Sequence, residues 1–352
     1  MVYNRFQVRV SGKGYGEYTA EAEDSSDGML GRSSGFPTPD PLQITALRSK
    51  LAAKPSAAAI QALGTLLFET LFTGGVLYTL RSAIYRAQLD NAALRIQLAI
   101  EPNELSALPW ELLFDPKKEQ FLALSNDTTL VRYVTGALSR PVIATASPLR
   151  ILALFPNPNH MPSVDIVREQ HVMQEALLPL ISSRDVELII LEHATVQNMF
   201  EALIYRQVHI LYYQGHVGFN PDSKDSYFLL EDPEGRSFWK GMDELSYTLH
   251  SHDVRLAVIN SCGMAAGTLA FDLVGRGIPA VVATQEPLQD IETAIFLKEF
   301  SQALANGWPV DAAVSKGRRA MFIRSGPQAR WASPILVVSQ PDIALLSMGE
   351  RP

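Results

Sequence analysis

The sequence predicts an α/β protein with a mostly parallel sheet in its second half. Short apolar runs rich in β-branched residues alternate there with segments of helical periodicity. These runs lack the apolar–polar alternation of half-exposed strands, which is typical of parallel strands covered by helices on both faces. The chain has 352 residues, of which 47% are hydrophobic and 19% charged, a globular composition for about two domains.

Six apolar runs in the second half are interpreted as strands, and segments with helical spacing separate several of them. The predicted strands span residues 151–155, 186–191, 208–213, 256–259, 278–283 and 335–338. The predicted helices span residues 166–181, 195–205 and 268–275.

The first half is interpreted as a smaller α+β domain, placed at residues 1–145 and followed by the α/β domain at 146–352. The stretch 136–148, with two prolines and weak patterning, suggests the boundary between them. The Ser-, Gly- and Pro-rich residues 24–40 are expected to form an exposed loop. The other predicted elements are strands at 5–10, 17–23, 94–100 and 129–134, a helical region over 41–90, and a short helix over 104–114 that Pro109 interrupts.

The helical spacing over 41–90 depends on a regular series of apolar residues. They are Leu42, Ile44, Leu47, Leu51, Ile60, Leu63, Leu67 and Leu71. Glu69 and the pair Gly74-Gly75 interrupt the longest apolar stretch, 60–80, which predicts one or two buried helices and not a membrane span.

Charge and cysteine content argue against other classes of protein. The net charge of −7 and the absence of Lys/Arg runs argue against a nucleic-acid-binding surface. Cys262 is the only cysteine, so no disulfide can form within the chain, and we expect a cytoplasmic protein. No metal or cofactor motif is present, and the G-x-S-x-G match at Gly31–Gly35 lacks the strand before it and the helix after it that a nucleophile elbow requires. We therefore expect neither a metal nor a cofactor.

Two chemically competent residues follow predicted strands directly. His216 ends the segment VHILYYQGH, and Cys262 ends RLAVINSC. In an open parallel sheet, functional sites lie beyond the carboxyl ends of the strands. Cys262 comes 46 residues after His216, which is close to the spacing of about 50 in caspases. An imidazole that accepts the thiol proton makes cysteine a nucleophile, and backbone N–H groups can stabilise the resulting oxyanion.

The second half, together with the region before it, resembles the CHAT domain (caspase HetF associated with TPRs), a bacterial branch of the caspase and separase group of cysteine peptidases. The resemblance runs from about residue 90 to 340. It rests on an ordered series of segments: LRIQLAIEPNELSALPWELLF, VHILYYQGHVGF, YFLLEDPEGRSFW followed by MDELSYTL, RLAVINSCGMAAG, and GIPAVVATQEPLQDIETAIFLKEF with the helices after it. The resemblance implies a caspase-like α/β fold, in which residues 1–145 are either a small α+β domain or a degenerate caspase-like half.

The resemblance also implies the site residues. His216 would be the base and Cys262 the nucleophile, with an oxyanion hole from the backbone N–H of Cys262 and of Val217 or Gly218. Asn260, two residues before the cysteine, would line the S1 pocket. The loops 156–159 and 285–290 would wall the substrate groove, which adds Asn157, Gln285, Glu286 and Asp290 as substrate-binding candidates.

Three functions stay open at this point. The first is an endopeptidase that cleaves a protein or peptide substrate and is gated by a partner or a signal. Because the chain carries no TPR repeats, a TPR-containing or other regulatory protein would act in trans. The second is a catalytically weak or inactive scaffold, which Val217 after the histidine would favour. The third is a redox sensor at Cys262. The neighbouring residues Glu231 and Asp232 form either a carboxylate pair or, with Pro233 and Gly235, a turn, and the turn is favoured.

Overall fold

The computed structural model describes most of the chain and divides it into two compact units. The described residues are 2–12, 18–25, 28–36, 56–137, 142, 144–145, 148–159, 161, 165–220, 222, 225–261, 265–326, 328–340 and 343–346. The first unit comprises Met1–Tyr133 and Met321–Ala332, and the second comprises Val134–Ala320 and Ser333–Pro352. The proposed domain boundary at residue 145 remains a prediction.

The first unit contains a mixed sheet in the order β3-β2-β1-β4-β7. Strand β1 pairs in parallel with β4, and β4 with β7, whereas β1–β2 and β2–β3 are antiparallel. The elements are β1 (Tyr3–Gly12), β2 (Tyr18–Asp24), β3 (Met29–Phe36), α1 (Ala57–Leu71), α2 (Gly74–Leu89), β4 (Ala93–Ile100), α3 (Asn103–Ser106), β5 (Phe114–Asp115), β6 (Gln120–Phe121) and β7 (Thr128–Tyr133). The predicted strands are therefore confirmed. The helix predicted over 104–114 is shorter: it consists of α3, then Pro109 and a three-residue 3-10 turn, Trp110–Leu112.

Strand β3 corrects the prediction of an exposed loop over 24–40. It pairs with β2 along its length and packs against α2. Gly31 makes the close approach of the helix feasible, because a Cβ at this position would lie 2.3 Å from both Gly75 O and Thr79 Oγ1. The small residues that suggested a loop thus fit a strand beneath a helix. Residues 37–40 lie outside the described residues, as do Leu42, Ile44, Leu47 and Leu51.

Helices α1 and α2 are the buried helices predicted from the apolar stretch. Ile60, Leu63 and Leu67 of α1 and Leu80 of α2 are each at most 2% exposed. Within the described part of the chain, no single helix is long and apolar enough to cross a membrane. The two helices meet that test only as a pair bent by 107°.

The second unit contains a six-stranded sheet in the order β16-β15-β14-β10-β8-β9. All neighbours in it are parallel except β16, which is antiparallel to β15. A separate antiparallel sheet has the order β11-β12-β13. The elements are β8 (Leu149–Phe155), α4 (Ile166–Ser182), β9 (Val186–Glu192), α5 (Val196–Arg206), β10 (Ile210–Gly215), β11 (Val217–Asn220), β12 (Asp225–Glu231), β13 (Ser237–Gly241), α6 (Met242–Ser251), β14 (Leu256–Ser261), α7 (Ala265–Gly275), β15 (Ala280–Thr284), α8 (Asp290–Ala305), α9 (Val310–Ser325) and β16 (Pro334–Val338).

Most strands of the six-stranded sheet are buried on both faces, as their unalternating apolar runs predict, whereas the last strand in the order, β9, is mostly half-buried. On one face, residues such as Tyr213, Ile259 and Val281 join a core with α5, α6 and α7. On the other face, Tyr212 and Val258 are also buried, at 3% and 6% exposed. The mostly parallel α/β fold of the prediction is confirmed, and it brings the ends of β10 and β14 side by side.

Candidate active site

The strands that precede the two predicted catalytic residues are neighbours. Strands β10 and β14 pair in parallel and in register from Ile210↔Leu256 to Gly215↔Ser261. His216 is the next residue after Gly215, and Cys262 is the next after Ser261. Cys262 lies outside the described residues, together with Gly263 and Met264. The described part of the site therefore consists of His216 with its neighbours and of the ends of β10 and β14.

His216 occupies a corner between two sheets. It is the one residue between β10, in the six-stranded sheet, and β11, in the three-stranded sheet. Its carbonyl oxygen lies 2.6 Å from the hydroxyl of Tyr213 and 3.1 Å from the backbone nitrogen of Leu229. Both groups donate hydrogen bonds, so the peptide plane that leaves His216 is held from two sides.

Tyr213 is fully buried beneath this corner. Its ring packs edge-to-face on Phe228 at a centroid distance of 4.3 Å, and its hydroxyl also lies 2.8 Å from Leu229 O. Burial raises the pKa of Tyr213 far above its ordinary value, so the hydroxyl stays protonated and acts as a donor. Gly215 leaves room for it, because a Cβ there would lie 2.7 Å from the Tyr213 hydroxyl and 3.0 Å from Pro156 Cγ.

The two oxyanion-hole candidates, Val217 and Gly218, point their backbone amides in different directions. Because Leu229 N–H donates to His216 O, the carbonyl of the 216–217 peptide points towards β12. In a trans peptide the N–H points opposite to the carbonyl, so the Val217 N–H is directed away from β12. Gly218 pairs with Tyr227, and the alternation of an antiparallel ladder turns the Gly218 N–H towards β12.

The β-branched Val217 fits its position. It begins strand β11, where extended backbone suits a β-branched side chain. The side chain packs against the core formed with α7, which itself packs against β11 and β12. Val217 is therefore a packed strand residue one position after the histidine.

Asn260, the predicted S1 residue, belongs to a polar row on the face opposite Tyr213. Its Nδ2 lies 3.4 Å from the hydroxyl of Tyr212, which donates to Gln214 Oε1 at 3.1 Å. Burial raises the pKa of Tyr212, so this hydroxyl is also a stable donor. The row fixes the half-buried amide of Asn260 at the end of β14.

Asn157 lies beside two residues that the sequence analysis missed as site components. Its backbone N–H donates to Glu231 Oε1 at 2.6 Å, and His193 Nδ1 lies 3.1 Å from Glu231 Oε2. The Glu231 side chain is 3% exposed and that of His193 is 66% exposed. His193 has a positive φ of 53° and its N–H donates to Phe155 O. One buried carboxylate thus ties together the ends of β8, β9 and β12.

The turn predicted after Glu231 is confirmed. Gly235 N–H donates to Asp232 O at 3.0 Å, and Gly235 has a φ of +75°. Asp232 Oδ1 accepts from the backbone N–H of Arg236 at 2.8 Å, and this hydrogen bond holds the pKa of Asp232 below its ordinary value. Asp232 therefore serves the turn and Glu231 serves the strand ends, so the two carboxylates do not act as a pair.

The loop after β15 carries the remaining predicted residues, each with a defined partner. The backbone nitrogen of Gln285 donates to Ser333 O at 3.0 Å, and that of Glu286 donates to Ser333 Oγ at 2.9 Å. Asp290 begins α8 and forms an ion pair with Arg168 of α4. Burial, followed by the charge of Asp290, raises the pKa of Glu169. The Asp290 carboxylate is thus partly neutralised by a residue of this chain.

Comparison with known proteins identifies the family and the fold. A family model described as the CHAT domain matches residues 59–339. A search of curated proteins found no match. Two crystal structures of the separase–securin complex of Saccharomyces cerevisiae match 96% of this chain at 11% identity, with TM-scores of 0.55 and 0.54. This chain spans 30% of the length of the separase chain, and at this identity the likeness concerns the fold alone.

A weaker match covers about half of the chain. The initiator caspase Dronc of Drosophila matches 54% of this chain and 86% of its own, at 9% identity and a TM-score of 0.31.

Proposed function

Because the chain belongs to the CHAT domain family, we propose that it is a cysteine endopeptidase with Cys262 as nucleophile and His216 as base. The observation that carries the proposal is the pairing of β10 with β14, which ends at Gly215↔Ser261. Neighbouring strands lie about 4.8 Å apart. Two residues that follow directly after such a pair start from adjacent backbone positions, which supports an interacting thiol and imidazole.

The proposed reaction follows from these groups. His216 takes the proton of the Cys262 thiol, and the thiolate attacks the carbonyl carbon of the scissile peptide bond. The carbonyl oxygen gains the negative charge, and the C–N bond then breaks as the protonated His216 gives its proton to the leaving amine. Water hydrolyses the resulting thioester with His216 again as base, which restores the thiol and releases the second product.

We assign the oxyanion hole to the backbone N–H groups of Val217 and Cys262. Of the two candidates after the histidine, Val217 is preferred because its N–H is directed away from β12, whereas the register turns the Gly218 N–H towards that strand. Two converging N–H donors stabilise the developing charge on the substrate oxygen.

The proposed substrate is a protein segment that lies across the ends of the parallel strands. Asn260 would line the pocket for the residue before the cleaved bond, while Asn157 and the 285–290 loop, with Gln285, Glu286 and Asp290, would wall the groove. The separase of the matched structures is bound to securin. For this chain we propose a regulatory protein partner, such as a TPR-containing protein, that gates the site.

The direct test is covalent labelling with a peptidyl electrophile, followed by intact mass measurement. Because Cys262 is the only cysteine of the chain, any thiol adduct identifies the site by mass alone. We expect one adduct in the wild type, none in Cys262→Ala, and a rate at least about 100-fold lower in His216→Gln, since general-base assistance contributes about 10²–10⁴. Equal rates in wild type and His216→Gln would contradict the dyad and favour a scaffold.

A further inference from the structure

The peptide unit between His216 and Val217 has two hydrogen-bond donors on its carbonyl. One is the side-chain hydroxyl of Tyr213 at 2.6 Å, and the other is the backbone N–H of Leu229 at 3.1 Å. A carbonyl oxygen has two lone pairs, so this arrangement uses both. The peptide plane is rigid, and holding its oxygen also fixes the direction of the N–H on its other side, which belongs to Val217.

The Tyr213 hydroxyl acts at the point where regular pairing changes. Strand β10 belongs to a parallel sheet and β11 to an antiparallel one, and His216 lies between them with its carbonyl accepting from the Leu229 N–H of β12. The hydroxyl reaches both carbonyls of the facing pair, His216 O at 2.6 Å and Leu229 O at 2.8 Å. It therefore holds the corner where the backbone ladder begins.

The surroundings of Tyr213 fix its hydroxyl in place. The side chain is fully buried, its ring lies edge-to-face on Phe228, and Gly215 leaves the space that the hydroxyl occupies. A hydroxyl carries one proton, and the shorter of its two distances, 2.6 Å against 2.8 Å, assigns that proton to His216 O.

We infer that Tyr213 is a positioning residue for the oxyanion hole, because its hydroxyl sets the orientation of the Val217 N–H through the shared peptide plane. The inference deepens the proposed function and rests on it. Tyr213 touches neither the substrate nor the reacting atoms, and it acts only through the backbone of the residue pair 216–217.

Two reagents separate this role from a general structural role. A peptide aldehyde adds to the thiolate: the S–C bond forms, the C=O π bond becomes a C–O⁻ group, and this oxyanion needs the N–H donors. Iodoacetamide alkylates the same thiolate by displacing iodide and forms no oxyanion. A residue that orients an oxyanion donor should affect the first reaction and leave the second unchanged.

The experiment compares the wild type with Tyr213→Phe, which removes the hydroxyl and keeps the ring. The aldehyde carries a sequence that the wild type cleaves. Since loss of a whole oxyanion donor costs about 10²–10³ in rate, we expect misorientation to weaken aldehyde binding and lower kcat by about 10-fold. KM and the rate of iodoacetamide alkylation should each stay within about two-fold of the wild-type value. The pH profile of the alkylation should be unchanged, because the variant leaves the substrate pocket and the His216–Cys262 pair untouched.

The matched control is Tyr18→Phe. Tyr18 is also buried, at 2% exposed, and its hydroxyl donates to Glu104 in the first unit. This variant should leave aldehyde binding and kcat unchanged. Gly215→Ala supplies a second variant that displaces the Tyr213 hydroxyl without removing it, and it should lower aldehyde affinity in the same direction as Tyr213→Phe.

The outcomes are distinguishable. Unchanged aldehyde affinity in Tyr213→Phe, with an active wild type, would overturn this inference alone. A parallel loss of aldehyde binding and iodoacetamide reactivity would also overturn it, because it would show general disruption of the site. A wild type that neither cleaves nor binds the aldehyde would overturn the proposed function and this inference together.

Discussion

At the residue scale, Glu231 is the most consequential side chain that is absent from the predicted site. Its carboxylate is buried, yet it accepts hydrogen bonds from the Asn157 backbone and contacts the His193 ring. A buried carboxylate is stable only when its charge is met by donors. Here the donors come from the loops after β8 and β9, so the residue anchors the 156–159 wall of the proposed groove to the end of β9.

We predict that Glu231→Ala lowers the free energy of unfolding by about 2–3 kcal/mol, because it leaves the Asn157 N–H without its acceptor. Glu231→Gln retains one acceptor oxygen and should cost less. Glu234→Ala is the control, since the 63% exposed Glu234 pairs with the surface residue Arg236, and such a change stays within about 0.5 kcal/mol. Urea unfolding followed by circular dichroism measures all three, and equal loss in Glu231→Ala and Glu234→Ala would contradict the assignment.

The candidate site residues that the sequence indicates and those that only the fold reveals differ in the kind of signal they leave in a sequence. The sequence indicates His216 because it lies directly after an apolar run, where strand order alone gives position, whereas it indicates Asn260 only through the family resemblance. Tyr213 was missed because a tyrosine inside such a run looks like an ordinary core residue. Glu231 was missed because it precedes Asp232 in an acidic turn, and only the fold shows which carboxylate is buried.

At the scale of elements, unalternating apolar runs predicted the strands of the six-stranded sheet correctly because most of them are covered on both faces. Strand β3 was missed because its sequence, MLGRSSGF, contains the small and polar residues of a loop. Its strand conformation comes from pairing with β2 and from the close packing of α2 at Gly31, which are tertiary interactions that local propensity does not encode.

The end of the sheet opposite to the proposed site contains a pH-sensitive histidine. His209 is 1% exposed, and its Nδ1 accepts from the Arg150 N–H at 3.1 Å. Burial, followed by the charges of Arg255 and Arg150, lowers the pKa of His209 from 6.5 to about 4. The folded protein therefore keeps this imidazole neutral while the unfolded chain takes up a proton.

Because the unfolded chain binds this proton more readily than the folded protein, the free energy of unfolding falls as the pH falls. Stability is fully present above pH 6.5 and is lost as the pH falls from 6.5 to about 4, by up to about 3 kcal/mol. We predict that His209→Asn, which keeps an acceptor for the Arg150 N–H, removes most of this dependence. Urea unfolding at a series of pH values tests it, and an equal slope in the variant and the wild type would contradict the neutral buried histidine.

At the scale of the whole molecule, the first unit is completed by a segment from late in the chain. Residues Met321–Ala332 belong to it, and within it Trp331, 2% exposed, packs against Phe121 at a centroid distance of 5.1 Å. Phe322 contacts the same tryptophan ring at 6.1 Å. Dividing the chain at the predicted domain boundary would therefore remove Phe121 from the two residues, Phe322 and Trp331, with which it shares a core.

We predict that a fragment of residues 148–352 is insoluble, because removal of Phe121 and its neighbours exposes the apolar surface of Trp331 and Met321. Expression of the fragment beside the full chain, with sedimentation and size-exclusion chromatography, measures this. The full chain with Trp331→Ala is the intermediate case, with a smaller loss of stability. A soluble and active fragment would show that the α/β part folds alone.

The central claim is that Cys262 and His216 cleave peptide bonds in a protein substrate, and mapping of new peptide termini tests it most directly. Cells that express the wild-type chain are compared with cells that express Cys262→Ala, and the amino termini of all proteins are identified by mass spectrometry. We predict a set of termini that depends on Cys262 and disappears in His216→Gln as well. Identical termini in the wild type and in both variants would contradict the claim.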